Sequence, residues 1–285
     1  MIELIIATFC SASIALLFKY SAVKGLDQKL VTVWNYVMAA LISGRLIITQ
    51  NKLAILGFDD HTFETIGFGV ITGILYLVSF TVYQISVRKN GASLSGMFAK
   101  LGILVPMTLS IILWKELPTW IQAIGICLAL LAIAIANSSP KGSSASRPVL
   151  PILIAVFIAG GFAEFLNKLF QRSGLLDYKP IYLFIVFITA LCISLWMLIR
   201  RKEPAEKPIK SMLVGAMVGL PNLFSSYFLI DALEKLPASL VFPAFSAGSI
   251  LLITVLSHVI FKEQLFKKDW IAILATTMGL IMMNM

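Results

Sequence analysis

The chain contains ASLSGMFAKLGILVPMTLSIILWKE at residues 92–116 and returns to the same pattern with ASLVFPAFSAGSILLITVLSHVIFKE at residues 238–263. Both copies begin with Ala-Ser-Leu and end with Lys-Glu, and a Trp that begins another apolar stretch follows each of them. A weaker similarity links IIATFCSASIALLFK at 5–19 to ILIAVFIAGGFAEFLNK at 152–168. Apolar repeats of this length are typical of secondary transporters, in which the substrate site lies between the halves near the bilayer midplane.

The composition excludes a water-soluble domain. Of the 285 residues, 59% are hydrophobic and only 13% are charged, so a soluble core has no room for the apolar surface. A membrane-spanning helix needs about 20 apolar residues. The windows that meet this length are 2–22, 30–49, 66–87, 93–114, 119–137, 149–171, 181–200, 211–231, 239–261 and 269–285. They are apolar on all faces, whereas barrel strands alternate, so we predict an all-α integral membrane protein with ten transmembrane helices.

A Ser-rich segment, NSSPKGSSASRP at 137–148, lies between the fifth and sixth windows. We therefore predict a first five-helix repeat at 1–137, a linker at 138–148 and a second five-helix repeat at 149–285. Because each half contains an odd number of spans, the second half enters the membrane in the opposite direction. The two repeats are therefore predicted to be inverted.

The net charge of +9 indicates topology rather than nucleic-acid binding, because no soluble domain is present to carry a basic groove. Lys and Arg are more frequent on the loop flanks that are cytoplasmic when the N-terminus is outside. The basic run RRKEPAEKPIK at 200–210 contributes most to this difference. The charge distribution therefore predicts that both termini lie outside the cytoplasm.

The repeat and the pattern AKLGILVPMTLSIILWKELPTWIQAIGICLALLAIAI at 99–135 carry a family resemblance. Its elements are a Pro within the span, Glu116 at the membrane edge and a Gly-Ile pair in the next apolar helix. Along essentially its full length the chain resembles the ten-helix, EamA-type members of the drug/metabolite transporter superfamily. The resemblance implies a helical bundle with a central cavity, alternating access and outward movement of small metabolites. It also implies that both termini are cytoplasmic, which conflicts with the charge distribution.

Charged residues inside the spans are the first candidates for substrate binding, because such residues usually face the bundle interior. Lys100 lies about eight residues into the fourth window, roughly 12 Å from its start at 1.5 Å per residue. It is interpreted either as a cavity-facing cation or as the partner of Glu164 in a buried ion pair. Glu164 is either a proton carrier or the neutralising partner of Lys168 at i+4. Lys19 and Lys168 occupy matched positions near helix ends, where extension to the membrane interface is the alternative.

Polar side chains in the spans are further candidates, although such groups often only join neighbouring helices. Those that we assign to substrate binding are Asn35, Tyr83, Asn222 and Tyr227. Asn222 follows Pro221 in a stretch that reads as a broken helix. Tyr76, Gln84, Asn167 and Ser225 are polar residues of the same kind.

The leading functional hypothesis is a secondary transporter of small polar metabolites, either amino acids or organic acids, with possible proton coupling. Three intramembrane lysines against one deep carboxylate favour a substrate with an anionic group. A flippase for lipids or lipid-linked sugars is the alternative, and an intramembrane enzyme is disfavoured because the spans offer no catalytic base. We predict no catalytic residue, metal site or cofactor. We expect a multi-pass protein of the bacterial inner membrane, monomeric or homodimeric, whose partners are the lipid bilayer and a small-molecule substrate.

Overall fold

The computed structural model describes residues 1–55, 57, 60–90, 92–136, 149–201, 204–261 and 267–283. All regular structure in these residues is helical. The α-helices are α1 (Ile2–Val23), α2 (Gln28–Thr49), α3 (Asp60–Asn90), α4 (Ala92–Leu101), α5 (Leu104–Trp114), α6 (Trp120–Ala136), α7 (Leu150–Arg172), α8 (Lys179–Ile199), α9 (Pro208–Lys235), α10 (Ala238–Phe261) and α11 (Lys267–Met283). Short 3₁₀ helices at Lys52–Ile55 and Leu176–Tyr178 lie in the connections after α2 and α7.

The lengths and compositions of the helices fit a multi-span membrane protein. Within the described residues, seven helices are long and apolar enough to cross a membrane. Three shorter apolar stretches are Phe98–Trp114, Trp120–Ala132 and Ile273–Met283. Together these segments coincide with the ten predicted windows, and the prediction of an all-α membrane protein is confirmed.

The fourth window contains two helices, because α4 ends at Leu101 and α5 begins at Leu104. Pro106 has no N–H group and therefore cannot donate to the carbonyl of Gly102 one turn earlier. That carbonyl accepts a 3.0 Å hydrogen bond from the N–H of Val105 instead, in a tighter turn. The matching position of α10 is Leu252, which keeps its N–H, and α10 is continuous.

The chain forms two compact units, and each unit takes segments from both halves of the sequence. The first unit comprises Met1–Leu77 and Leu169–Asp231, and the second unit comprises Val78–Lys168 and Ala232–Met285. The division into repeats at 1–137 and 149–285 stays a prediction. The linker at 138–148 lies outside the described residues, as does Glu263 at the end of the second repeat copy.

Aromatic side chains of α2, α7 and α8 form the centre of the first unit. Phe170 stacks on Tyr182 with ring centroids 3.9 Å apart, and Tyr36 faces Phe187 at 6.4 Å. These rings are buried. Helix association in a bilayer depends on van der Waals packing rather than on the hydrophobic effect. Close ring contacts of this kind therefore fix α2 and α7 against α8.

Two glycines let α3 approach the backbone of α8 in the first unit. A methyl group on Gly73 would lie 2.5 Å from the carbonyl oxygen of Val186 and 2.8 Å from Cβ of Thr189. One turn earlier, a methyl group on Gly69 would lie 3.2 Å from the carbonyl oxygen of Tyr182. Spacing of small residues by four positions is a common basis for close helix packing in membranes.

The same arrangement brings α9 against α2. A methyl group on Gly215 would lie 2.5 Å from the carbonyl oxygen of Val31, and one on Gly219 would lie 2.5 Å from that of Asn35. The sequence separation between Gly69 and Gly215, and between Gly73 and Gly219, equals the separation between Ala92 and Ala238. The repeat therefore aligns the two glycines of α9 with the two glycines of α3. The first unit therefore contains the same glycine contact twice, once from each half of the sequence.

Helices that the repeat makes equivalent run antiparallel within each unit. In the first unit Tyr36 faces Phe187 while Gly44 contacts Phe184, so α2 and α8 run in opposite directions. In the second unit Gly125 approaches the backbone N of Met283 while Ala129 approaches Gly279, so α6 and α11 also run in opposite directions. An inverted relation of the two halves requires this antiparallel course for the pairs α2/α8 and α6/α11.

Candidate functional site

Lys100 lies where the fourth span is interrupted. It is the penultimate residue of α4 and is half-buried. Its backbone carbonyl accepts a 3.4 Å hydrogen bond from Oγ of Ser246, a buried residue of α10. Ser246 is the position that the repeat aligns with Lys100. The two repeat-related positions are therefore in direct contact.

The interruption gives Lys100 a favourable electrostatic position. The last carbonyls of a helix carry a partial negative charge, so a cation is stabilised in the final turn. Irregular backbone at membrane depth is tolerated where it is covered by protein or lines a cavity. Broken helices of this kind form the substrate and ion sites of many transporters. Pro106 thus creates a helix end near a cation in the middle of a span.

Glu164 of α7 lies near Lys100 because the break between α4 and α5 contacts the backbone of α7. A methyl group on Gly161 would lie 2.5 Å from the carbonyl oxygen of Gly102. The charges of Lys100 and Glu164 interact, and the side-chain amide of Asn167 donates a 3.2 Å hydrogen bond to Oε2 of Glu164. Within the second unit, no described carboxylate forms a direct salt bridge with Lys100.

Lys168 pairs with Glu116 in the structure, not with Glu164. Its Nζ lies 2.9 Å from Oε1 of Glu116, and its side chain is only 2% exposed. The ammonium therefore does not extend to solvent, which was the alternative considered from its place near a helix end. It also lies 5.8 Å from the ring centroid of Trp114 and 3.5 Å from the carbonyl oxygen of Leu233.

Glu116 also caps the start of α10. Its Oε2 accepts a 2.5 Å hydrogen bond from the backbone N–H of Ala238, the first residue of that helix. The helix α5 ends at Trp114, and Lys115 adopts a left-handed conformation with φ of 54°. This turn changes the chain direction immediately before Glu116. A carboxylate at a helix N-terminus compensates the positive end of the helix dipole.

These interactions form two pairs of charged residues in the second unit, Lys100 with Glu164 and Lys168 with Glu116. We refer to Lys100, Glu164, Lys168 and Glu116 as the charge series. Its members alternate in sign from the interrupted span to the start of α10. Sequence reasoning found the first three but not the role of Glu116, because its partner lies on another helix.

Asn35 and Asn222 meet in the first unit. The amide of Asn222 donates a 3.0 Å hydrogen bond to Oδ1 of Asn35, which is buried. The next polar residues of α9 bond other helices. Ser225 Oγ donates to the carbonyl oxygen of Ala7 at 3.3 Å, and Ser226 Oγ lies 3.1 Å from the Tyr76 hydroxyl.

Tyr227 belongs to a third polar cluster, also in the first unit. Nζ of Lys179 lies 3.5 Å from its ring centroid and forms an ion pair with Asp231. The amide of Gln50 donates to the Tyr227 hydroxyl at 3.3 Å. Sequence reasoning missed Lys179 and Asp231. The i+4 spacing from Tyr227 to Asp231 was the available signal, since it places both on one helix face.

The remaining predicted site residues are Lys19 and Tyr83, both of them half-buried. Lys19 lies near the end of α1 in the first unit, with Asn35, Asn222 and Tyr227. Tyr83 lies in α3 in the second unit, with Lys100, Glu164 and Lys168. In the part of the chain that the structure describes, no cluster of His, Cys, Asp and Glu is suited to hold a metal ion.

Comparison with known proteins agrees with this architecture. An uncharacterised protein of Haemophilus influenzae is 26% identical over 280 residues, covering 95% of this chain and 94% of that protein. A protein of known crystal structure superposes with a TM-score of 0.81 at 14% identity, covering 99% of this chain and 94% of that one. This second likeness shows the fold alone. The profile of the EamA-like transporter family matches residues 1–138 and 147–285. The chain is therefore a member of the EamA-like transporter family, a family of multi-span membrane transporters.

Proposed function

We propose that the protein is a secondary transporter that exports small polar metabolites with an anionic group across the bacterial inner membrane. Transport proceeds by alternating access, without enzymatic chemistry. Membership of a transporter family supports this class of function. Export, the bacterial inner membrane and the substrate class go beyond that membership and rest on the sequence and on the charge series.

The observation that carries the proposal is the place of Lys100. A charge at membrane depth is costly, and this one lies at a helix end that Pro106 creates within a span. The charge of Glu164 acts on it, and no carboxylate among the described residues forms a direct salt bridge with it. The ammonium therefore keeps hydrogen-bonding capacity for a carboxylate of the substrate.

Glu164 favours amino acids among the possible anionic substrates. The α-ammonium of an amino acid complements this carboxylate, while the α-carboxylate complements Lys100. An organic acid would use only Lys100. The same Glu164 carboxylate is also the group best placed to carry a proton, because a carboxyl at membrane depth can exchange protons between the two sides.

The test is a transport screen in proteoliposomes that contain the purified protein. Amino acids, organic acids and organic cations are each measured as counterflow of radiolabelled compound, with and without an imposed pH gradient. We expect uptake of a zwitterionic or anionic compound and none of the cations. A response to the pH gradient that disappears in Glu164→Gln supports proton coupling. Transport confined to cations would overturn the proposal.

A further inference from the structure

The second unit contains two places where residues that the repeat makes equivalent are in direct contact. The first place is at the interrupted span. Lys100 stands eight residues after Ala92, and Ser246 stands eight residues after Ala238, so the two occupy the same position in the two copies. Oγ of Ser246 donates a hydrogen bond to the backbone carbonyl oxygen of Lys100 at 3.4 Å.

The second place joins α6 to α11. Ala129 stands nine residues after Trp120, and Gly279 stands nine residues after Trp270, the two Trp residues that follow the repeat copies. A methyl group on Gly279 would lie 3.1 Å from the backbone N of Ala129. This contact uses other helices and another alignment point, so it is independent of the contact between Lys100 and Ser246.

These two contacts locate the two-fold axis that relates the repeat copies. A two-fold rotation exchanges equivalent residues, so the midpoint between two equivalents lies on the axis. Equivalents that touch must therefore both lie beside it. The axis of an inverted repeat runs in the plane of the membrane. Lys100 and Ser246 consequently lie beside the axis, at the middle depth of the bilayer.

We propose that the substrate carboxylate is bound on this axis, so that the cation that holds it can be supplied from position 100 or from position 246. The inference rests on the proposed function in taking Lys100 as the substrate contact. Alternating access in transporters of this kind moves the repeats around a fixed substrate site. A position on the axis keeps the same relation to both membrane faces. A charge placed there serves the inward-facing and the outward-facing state alike.

Ser246 is suited to take over the cation. It is buried, and its side chain reaches the backbone of Lys100. A lysine at position 246 would therefore begin beside the place where the present lysine begins. The flexible four-carbon stem of lysine then lets the ammonium reach the same substrate carboxylate. Glu164, which the proposed function assigns to the substrate ammonium, is unchanged by this transfer.

The test moves the lysine from one repeat copy to the other. Counterflow of a pool of radiolabelled neutral amino acids is measured in proteoliposomes. We expect Lys100→Ser to lower transport by about tenfold or more, and Lys100→Ser combined with Ser246→Lys to recover most of the loss. The control is Lys100→Ser combined with Ser239→Lys. Ser239 is a buried serine of the same helix, seven residues earlier and roughly 10 Å away at 1.5 Å per residue. This control should recover nothing.

The outcomes separate the inference from the proposed function. If Lys100→Ser loses transport and the folded combination with Ser246→Lys stays inactive, the inference is overturned and the proposed function stands. Equal recovery with Ser239→Lys also overturns the inference, because any buried lysine would then suffice. Full transport in Lys100→Ser overturns both, since the substrate would not need this cation.

If the combined variant does not fold, as judged by size-exclusion chromatography, or the parent does not transport the pool, Ser246→Cys decides. It is introduced after Cys10, Cys127 and Cys192 have been changed to Ala. Right-side-out and inside-out membrane vesicles are each treated with a membrane-impermeant sulfonated methanethiosulfonate. We expect the thiol at position 246 to react from both sides, whereas Ser239→Cys, near the start of α10, should react from one side only. Reaction at position 246 from one side only would overturn the inference.

Discussion

Lys100 is the residue on which the proposed transport most depends. Lys100→Met keeps the length of the side chain and removes its charge, so we expect transport to be lost. A lysine at the centre of a transmembrane helix costs about 2.5–3.5 kcal/mol on insertion scales, so removing the charge should not lower the thermal stability. Both quantities are measured on the purified protein, transport in proteoliposomes and the melting temperature in detergent.

Lys115→Met is the control for this substitution. Lys115 is exposed at the membrane edge, only one residue beyond the end of α5. The Lys115→Met variant should therefore transport as well as the parent protein. Retained transport in Lys100→Met, with a lower melting temperature that Glu164→Gln restores, would instead identify Lys100 as a structural ion-pair partner.

At the scale of the helix, the interruption between α4 and α5 should be required for transport. Pro106→Ala restores an N–H that can donate to Gly102 and so favours one continuous helix. Replacing a proline in a helix interior by alanine stabilises the helix by up to about 3 kcal/mol, so we expect Pro106→Ala to raise the melting temperature. Transport should fall by about tenfold or more, which corresponds to roughly 1.4 kcal/mol in the activation barrier.

Pro243→Ala in α10 is the comparison for this change. α10 is continuous despite Pro243, so its substitution removes no interruption. Transport by the Pro243→Ala variant should stay close to that of the parent protein. If Pro106→Ala transports as well as Pro243→Ala does, the helix end beside Lys100 is not needed for substrate binding.

The repeated glycine contacts predict a matched pair of destabilising substitutions. Gly73→Ala and Gly219→Ala each place a methyl group 2.5 Å from a backbone carbonyl oxygen of the facing helix. Overpacking of this kind typically costs about 1–3 kcal/mol, so both variants should melt at clearly lower temperature. Gly67→Ala in the same α3 is the control, because its methyl group would meet nothing within 4 Å. Equal melting of all three variants would contradict the backbone contacts.

At the scale of the whole molecule, orientation is the property that the sequence leaves contested. In the first unit Arg201 pairs with Asp27, and Nζ of Lys207 donates to the carbonyl oxygen of Lys24 at 2.5 Å. Arg201 and Lys207 of the basic run therefore lie at the same membrane face as the connection between α1 and α2. This concentration of positive charge predicts a cytoplasmic face and termini outside.

A reporter fused after Met285 checks the orientation. Alkaline phosphatase should be active there, because this enzyme matures only outside the cytoplasm, and green fluorescent protein should be dark. Fusions after Arg201 should give the reverse pattern. Fluorescence at the C-terminus would mean that the family resemblance, not the charge distribution, predicts the topology.

Most of the fold follows from the sequence because bilayer thickness converts apolar length directly into helices. Which helices pack against each other was harder to predict from the sequence. The glycines of α3 and α9 are separated in sequence by the same number of residues as the two Ala-Ser-Leu copies, so the repeat already indicated that they are equivalent. Glycine is common in membrane helices, however, so this alone did not predict which helices they contact. Only the structure shows that Gly73 and Gly219 face Val186 and Asn35.

The candidate site was only partly predictable, because ion-pair partners on different helices depend on tertiary packing. Local spacing favoured Glu164 as the partner of Lys168, whereas Glu116 from another helix takes that place. The amides of Asn35 and Asn222 were each found by their depth in a span. That they bond one another across α2 and α9 depends on the close approach at Gly219.

The glycine contact between α3 and α8 also constrains how the protein is made. A ribosome completes α3 well before α8, since α4 to α7 are synthesised between them. At translation rates of about 5–20 residues per second, this interval lasts several seconds. Throughout it, the groove at Gly69 and Gly73 lies in the membrane without its partner helix. Lipid or the insertion machinery must occupy this groove until α8 arrives, so nascent chains that stop before α8 should be preferred targets of membrane quality control.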